Sequence, residues 1–145
     1  LVGVQRVRLV VNNTTQAEPA DPTGTNNATG LMMGLAGSIT PQNTGQILYL
    51  VSGEIANDTA TDGAKVQLRY GTGAAPTNGA ALTGTTAGNI PEFTAAANNQ
   101  NVPFSLNARV SGLTLGTAYW LDVSLAAITA GTATIKNVSL TAVEL

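Results

Sequence analysis

The side chains that could do chemistry in this sequence are few and of one kind. There is no His and no Cys among the 145 residues. That removes Ser-His and Cys-His nucleophile pairs and any zinc site built on nitrogen or sulfur. Eight carboxylates remain: Glu18, Asp21, Glu54, Asp58, Asp62, Glu92, Asp122 and Glu144. Cleaving a glycosidic bond takes two acids facing each other across a cleft, and Glu54 with Asp122 is the conceivable pair, since both fall on strand patterns. Acids at arbitrary spacing occur in almost any sequence, so the chain reads as a non-enzyme with no cofactor. Asp58 and Asp62, four residues apart in a Thr-rich stretch before Gly63, admit two readings. One is a set of oxygen ligands for calcium; the other is a turn whose Asp side chains accept backbone N–H groups. The full EF-hand pattern is missing, which favours the turn. Gly71-Thr-Gly73 opens like a phosphate loop but lacks the later Gly-Lys-Ser/Thr and the helix. Trp120, with Tyr49 or Tyr70, could offer a stacking platform for a sugar, although such a Trp more often lies under a loop or in a subunit interface.

Charged residues are 10% of the chain and aromatics 4%, against about 25% charged in an average domain. Thr, Ala, Asn and Gly fill the gap. Thr suits strands, Asn and Gly suit turns, and the residues of long amphipathic helices are scarce. The six cations (Arg6, Arg8, Lys65, Arg69, Arg109 and Lys136) form no cluster and the net charge is −2. A nucleic-acid surface, which needs a dense basic patch, is therefore disfavoured. No apolar run approaches the roughly 20 residues of a membrane-spanning helix. The opening Leu1-Val-Gly-Val shows no basic stretch followed by an apolar one, unlike a secretory signal peptide. Its missing Met points to trimming, a fragment or an unseen start.

The length suits one domain, and the periodicity is that of strands. Residues 1–11 alternate on two parities, with Val2 and Val4 on one and Val7, Leu9 and Val11 on the other. The change near Gln5 and Arg6 suggests a bulge, in a strand that could serve as an arm onto a neighbour. Residues 12–30 hold no large apolar side chain and are expected to be a polar connector. Residues 31–40, with Met32 and Met33, form a short apolar run closed by Pro41. Residues 46–56 are apolar on both parities, as in a central or interface strand. A loop at 57–63 leads to a strand over 64–70, with Val66, Leu68 and Tyr70 inward. Residues 71–89 read as a surface excursion held by Leu82, followed by a short strand at 90–94.

Residues 102–110 alternate with Val102, Phe104, Leu106, Ala108 and Val110 inward, and Pro103 assigns the start of this run to an edge or entry position. Residues 111–119 carry the spacing of a sandwich corner in which a Tyr hydroxyl ties the turn to the backbone. A strand over 119–126 has Tyr119, Leu121, Val123 and Leu125 inward and Trp120 outward. A last strand over 132–145 changes parity near Lys136-Asn137, implying a bulge. The expectation is an all-β, two-sheet antiparallel sandwich of jelly-roll type with about seven to eight strands.

Two stretches look familiar. Glu54-Ile-Ala-Asn-Asp-Thr, continuing through Asp62-Gly-Ala-Lys-Val-Gln-Leu-Arg-Tyr-Gly-Thr-Gly to Gly79, is one. Val110-Ser-Gly-Leu-Thr-Leu-Gly-Thr-Ala-Tyr-Trp-Leu-Asp-Val-Ser-Leu125 is the other. Together they resemble small virion proteins of tailed phages, of the jelly-roll cement or decoration kind that sits on an HK97-like capsid shell. The likeness covers roughly residues 46–145 and brings no catalytic residue with it. It implies a homo-oligomer, a dimer or trimer, on the outer surface of a virion capsid, bridging major capsid proteins; the scattered cations and short apolar runs already argue against nucleic acid and membrane as partners. The residues expected to make contacts are Val2, Val4, Arg6, Val7, Arg8, Leu9, Met32, Met33 and Trp120. The rival reading is a receptor- or carbohydrate-binding domain of a phage fibre or cell-surface protein.

Overall fold

The computed structural model describes residues 13–145. The N-terminal strand expected over 1–11, with the contact candidates Val2, Val4, Arg6, Val7, Arg8 and Leu9, lies outside the described residues. The rest is all-β: β1 Thr14–Ala17, β2 Leu31–Met32, β3 Gly37–Ile39, β4 Ile47–Asn57, β5 Gly63–Thr72, β6 Thr85–Ala87, β7 Glu92–Thr94, β8 Val102–Val110, β9 Tyr119–Ala127 and β10 Ala133–Glu144. No helix among them is long and apolar enough to cross a membrane.

The chain passes back and forth between two antiparallel sheets. One has the order β1-β10-β4-β8; the other has β2 and β3 on β9, then β5, then β6 and β7. This is the jelly-roll arrangement of two nested Greek keys. The ten strands occupy eight positions, because two positions are each broken in two. Residues 33–36, with Gly34 and Ala36 at positive φ, interrupt the edge strand formed by β2 and β3. Residues 88–91 interrupt the opposite edge, formed by β6 and β7. These breaks, with β1, account for the difference from the seven or eight strands expected.

Alternation places the core. Ile47, Tyr49, Val51 and Ile55 of β4 meet Val66, Leu68, Leu121, Val123 and Leu125 of the other sheet, with Ile135, Leu140 and Ala142 of β10 beside them, all buried. The doubly apolar run of β4 is central in its sheet, between β10 and β8. Its second parity, Leu48 and Leu50, is only half-buried, because that parity faces away from the core. The parity change in β10 is a bulge, with the register slipping between Lys136 and Ser139 and Asn137 at φ 50°. The polar connector contributes more than a loop. Thr14–Ala17 pairs with Val143–Leu140, and Thr25 bridges Ala133 in both directions at 2.8 Å. A strand without large apolar side chains is stable there because it is an edge strand whose outer face is solvated.

Two tyrosines fix the geometry. The Tyr49 hydroxyl crosses the core and donates to the Asp122 carbonyl at 2.8 Å, tying one sheet to the other. The Tyr119 hydroxyl accepts the Thr114 N–H at 3.0 Å, which is the tie expected of the 111–119 corner.

Candidate functional site

The structure gives each acid that the sequence singled out a hydrogen-bond partner within the fold. Glu54 and Asp122 lie on opposite outer faces of the sandwich, since the inward residues are Ile55 and Val51 on β4 and Leu121 and Val123 on β9. Glu54 accepts a hydrogen bond from the Asn137 side chain at 3.1 Å. Asp122 is 1% exposed and accepts the N–H groups of Gly34 and Leu35, each at 2.9 Å. Those amides are the ones freed by the break between β2 and β3, so Asp122 closes that break. Burial pushes the Asp122 carboxyl above the usual carboxylate range, against the pull of the Leu35, Gly34 and Val123 amides. Glu54 and Asp122 are therefore not brought together.

Asp58 and Asp62 follow the turn reading. Asp62 accepts the amides of Gly63 at 2.7 Å and Ala130 at 2.6 Å, together with the Thr129 hydroxyl at 2.6 Å. Burial alone would raise its carboxyl. The Thr129 hydroxyl and the Gly63, Ala130 and Thr129 amides outweigh it and hold the group at about 2. Asp58 accepts the Thr132 amide at 2.7 Å, and chiefly that contact lowers its carboxyl. A cation site presents bare oxygens, whereas these oxygens face N–H and O–H donors. No group of three or more acids is placed to hold a metal ion among the described residues.

Glu144 repeats the device at the other end of the sandwich, a role that sequence reasoning missed. Fully buried, it accepts the amides of Asn43 at 2.6 Å, Thr44 at 2.8 Å, Gln42 at 3.0 Å and Asn13 at 3.4 Å. Burial opposes ionisation here too. The Thr44, Asn43, Gln42 and Asn13 amides prevail and hold it at about 2. The one signal in the sequence was its parity, since Ala142 and Glu144 share an inward face.

The aromatic and Met candidates are interior. Trp120 is 6% exposed. Its indole N–H donates to the Thr72 carbonyl at 3.2 Å, and its ring fills the space that Gly71 and Gly84 leave open. A Cβ on Gly71 would stand 2.5 Å from the ring. The 71–89 excursion lies over the outer face of the second sheet. It exchanges backbone hydrogen bonds with Met32 through Ala80 and Gly79, both at 2.9 Å, and Arg69 reaches the Thr83 carbonyl at 3.0 Å. This cover makes Trp120 outward on its strand yet buried in the chain. Met32 and Met33 are 0% and 1% exposed. Tyr70 packs on Tyr119, with ring centres 6.3 Å apart, away from any platform with Trp120.

What stays open is one flank. The strand β8 pairs with β4 on one side, and among the described residues no strand pairs with its other side. Beside it, where β6 and β7 part, a cleft of about 400 Å³ opens between the sheets, lined by Leu68, Pro91, Phe93 and Leu106 with Asn89, Ser105 and Asn107. Ile90, between the lining residues Asn89 and Pro91 in sequence, is 54% exposed.

No protein-family model matches the chain, and no curated protein matches it. Solved structures do. A chain in the structure of the Gx strain of infectious bursal disease virus superposes with a TM-score of 0.54 at 12% identity, over 99% of this chain and 37% of that one. A chain of the T13 particle of the same virus gives 0.55 at 9% identity, over 99% and 35%. The likeness is one of fold. This chain spans little more than a third of the length of either.

Proposed function

We propose that this chain is a structural protein of a virion, a cement or decoration protein that binds the outside of a phage capsid and stabilises it by bridging major capsid proteins. The observation that carries the reading is the superposition of almost the whole chain on part of a viral-particle chain. The fate of the acids supports it. Asp58, Asp62, Asp122 and Glu144 are spent on holding loops and strand ends, so the chemistry present serves rigidity. The outer face of the first sheet adds a mixed contact surface, with Arg109 opposite Leu48 and Glu54 at its far end. Leu48, Leu50 and Val143 are half-buried there among Thr14, Gln16, Ser52, Ser105 and Asn107, a mixture of apolar area and short polar groups common in interfaces.

The test is sedimentation of the purified chain with assembled capsids of its virus, with and without a heat challenge. The expected result is that the chain pellets with the particles and raises the temperature at which they open. A chain that stays in the supernatant and leaves that temperature unchanged overturns the proposal.

A further inference from the structure

We propose that the open β8 edge and its cleft receive the N-terminal segment of a second copy of this chain, with Leu9 seated in the cleft. The inference rests on reading residues 1–11 as an arm and names the place where the arm binds.

An extended segment added to a sheet edge gains main-chain hydrogen bonds along the strand and specificity from pockets for alternate side chains. The β8 strand offers both, being nine residues long with the cleft beside Leu106. Residues 7–11 have the matching pattern. Val7, Leu9 and Val11 form one apolar parity while Arg6 and Arg8 form the other. Seating the apolar parity inward covers Leu106, which is only half-buried although it faces the core, and turns both Arg residues to solvent. Charge then selects the direction. Run parallel to β8, Arg8 and Arg6 lie beside Ser105 and Pro103, towards Glu54, which pairs with Pro103. Run antiparallel, Arg6 would meet Arg109, and like charges side by side oppose pairing.

Reach selects the copy. Asn13 is level with Glu144, Ile47 and Val110. Three strand spacings of about 4.8 Å separate its place from β8, and Leu106 lies about 13 Å further along the strand, so the path is roughly 20 Å. Four residues from Asn13 back to Leu9 span at most about 14 Å. Leu9 therefore cannot seat in the cleft of its own chain.

Because the chain has no Cys, engineered thiols report this directly in the full-length protein. Single variants Leu9→Cys and Leu106→Cys, mixed and mildly oxidised, should give a covalent dimer whose linking peptide joins position 9 of one chain to position 106 of the other. Leu9→Cys mixed with Ser38→Cys, on the exposed β3 edge, should not. A doubly substituted chain diluted in excess unsubstituted protein should lose most of its cross-link. In sedimentation, Leu106→Lys should shift the otherwise unmodified chain to monomer, with its β-sheet circular dichroism kept. No 9–106 cross-link, equal cross-linking to Ser38→Cys, or a cross-link that persists on dilution overturns the inference. A chain that binds capsids but gives no 9–106 cross-link sinks this inference alone. A 9–106 cross-link in a chain that ignores capsids sinks only the proposed function.

Discussion

Removing one oxygen atom tests how the two sheets are held together. Tyr49 is fully buried and its hydroxyl donates to the Asp122 carbonyl at 2.8 Å. Tyr49→Phe leaves the ring packed and deletes only that bond. A buried hydrogen bond is worth about 1 kcal/mol net, and a carbonyl left dry adds part of a penalty of about 1–3 kcal/mol, so the loss should be about 1.5–3 kcal/mol. Unfolding entropy of about 2.1 cal/mol/K per residue makes each kcal/mol worth about 3 °C in a chain of this length, so the melting point should fall by about 5–10 °C. Differential scanning calorimetry at pH 7 measures this. Tyr70→Phe is the control, because its ring packs on Tyr119 but its hydroxyl has no hydrogen-bond partner among the described residues. That variant should stay within about 2 °C, the scale of an ordinary surface change. Alkaline pH gives an independent check. Burial first, and then the nearby Asp122 charge, push the Tyr49 hydroxyl well above its ordinary value. The unfolded chain ionises there near 10 while the folded chain does not, so stability falls as pH rises beyond about 10. Tyr49→Phe should soften that fall. Equal losses for Tyr49→Phe and Tyr70→Phe, or a loss under about 0.5 kcal/mol for the former, would refute the role of this bond as the tie between the sheets.

Acid should act through Asp62 and Glu144, each held at about 2. Their stabilisation is complete above the unfolded values near 4 and fades as pH drops towards 2. Denaturant melts between pH 5 and 2 should show a slope that Asp62→Asn with Glu144→Gln flattens, and an unchanged slope counts against the clasps. Gly71→Ala should cost about 1–3 kcal/mol by thermal melt, the cost of overpacking, because its Cβ meets the Trp120 ring; a neutral result would show that the indole can shift. Deleting residues 1–11 should abolish oligomer or capsid binding while the circular dichroism and the melting transition remain. Retained binding on intact capsids would show that the segment is not an arm.

The parts of the fold legible in the sequence were those with strict period-2 alternation. The Val66–Leu68–Tyr70 strand, the Phe104–Ala108–Val110 strand and the β10 bulge announce themselves because a one-residue slip would turn every side chain to the wrong face. The corner at Tyr119 was legible because its tie is local in sequence. The pairing of Thr14–Ala17 was not, since an edge strand with no apolar face carries no periodic signal. The breaks at 33–36 and 88–91 were hidden for a different reason. They depend on partners far along the chain: Asp122 for Gly34 and Leu35, and Gln67, whose side chain reaches the Ala87 carbonyl at 2.8 Å. Asp58 and Asp62 were legible as turn acids from their Thr-rich loop, whereas Asp122 and Glu144 were visible as residues but not as clasps, because the backbone they bind lies far along the chain and has no letter in the sequence. Trp120 had the right outward parity, and only the course of the excursion over it decides that it is covered.

The backbone clasps have an evolutionary consequence. Glu144 holds Gln42, Asn43 and Thr44 by their amides, and Asp62 holds Ala130 in the same way. Every residue except proline supplies that amide. That hold does not depend on the side chains at these positions, which act on the loops only through contacts of their own, such as the Gln46 N–H that the Thr44 hydroxyl accepts at 3.2 Å. A lineage that keeps two buried carboxylates keeps the shape of both ends of the sandwich and is free to redraw what those ends display. Mutational scanning should find exposed Ala130 tolerant of most residues but not of proline, beside intolerance at Asp62 and Glu144.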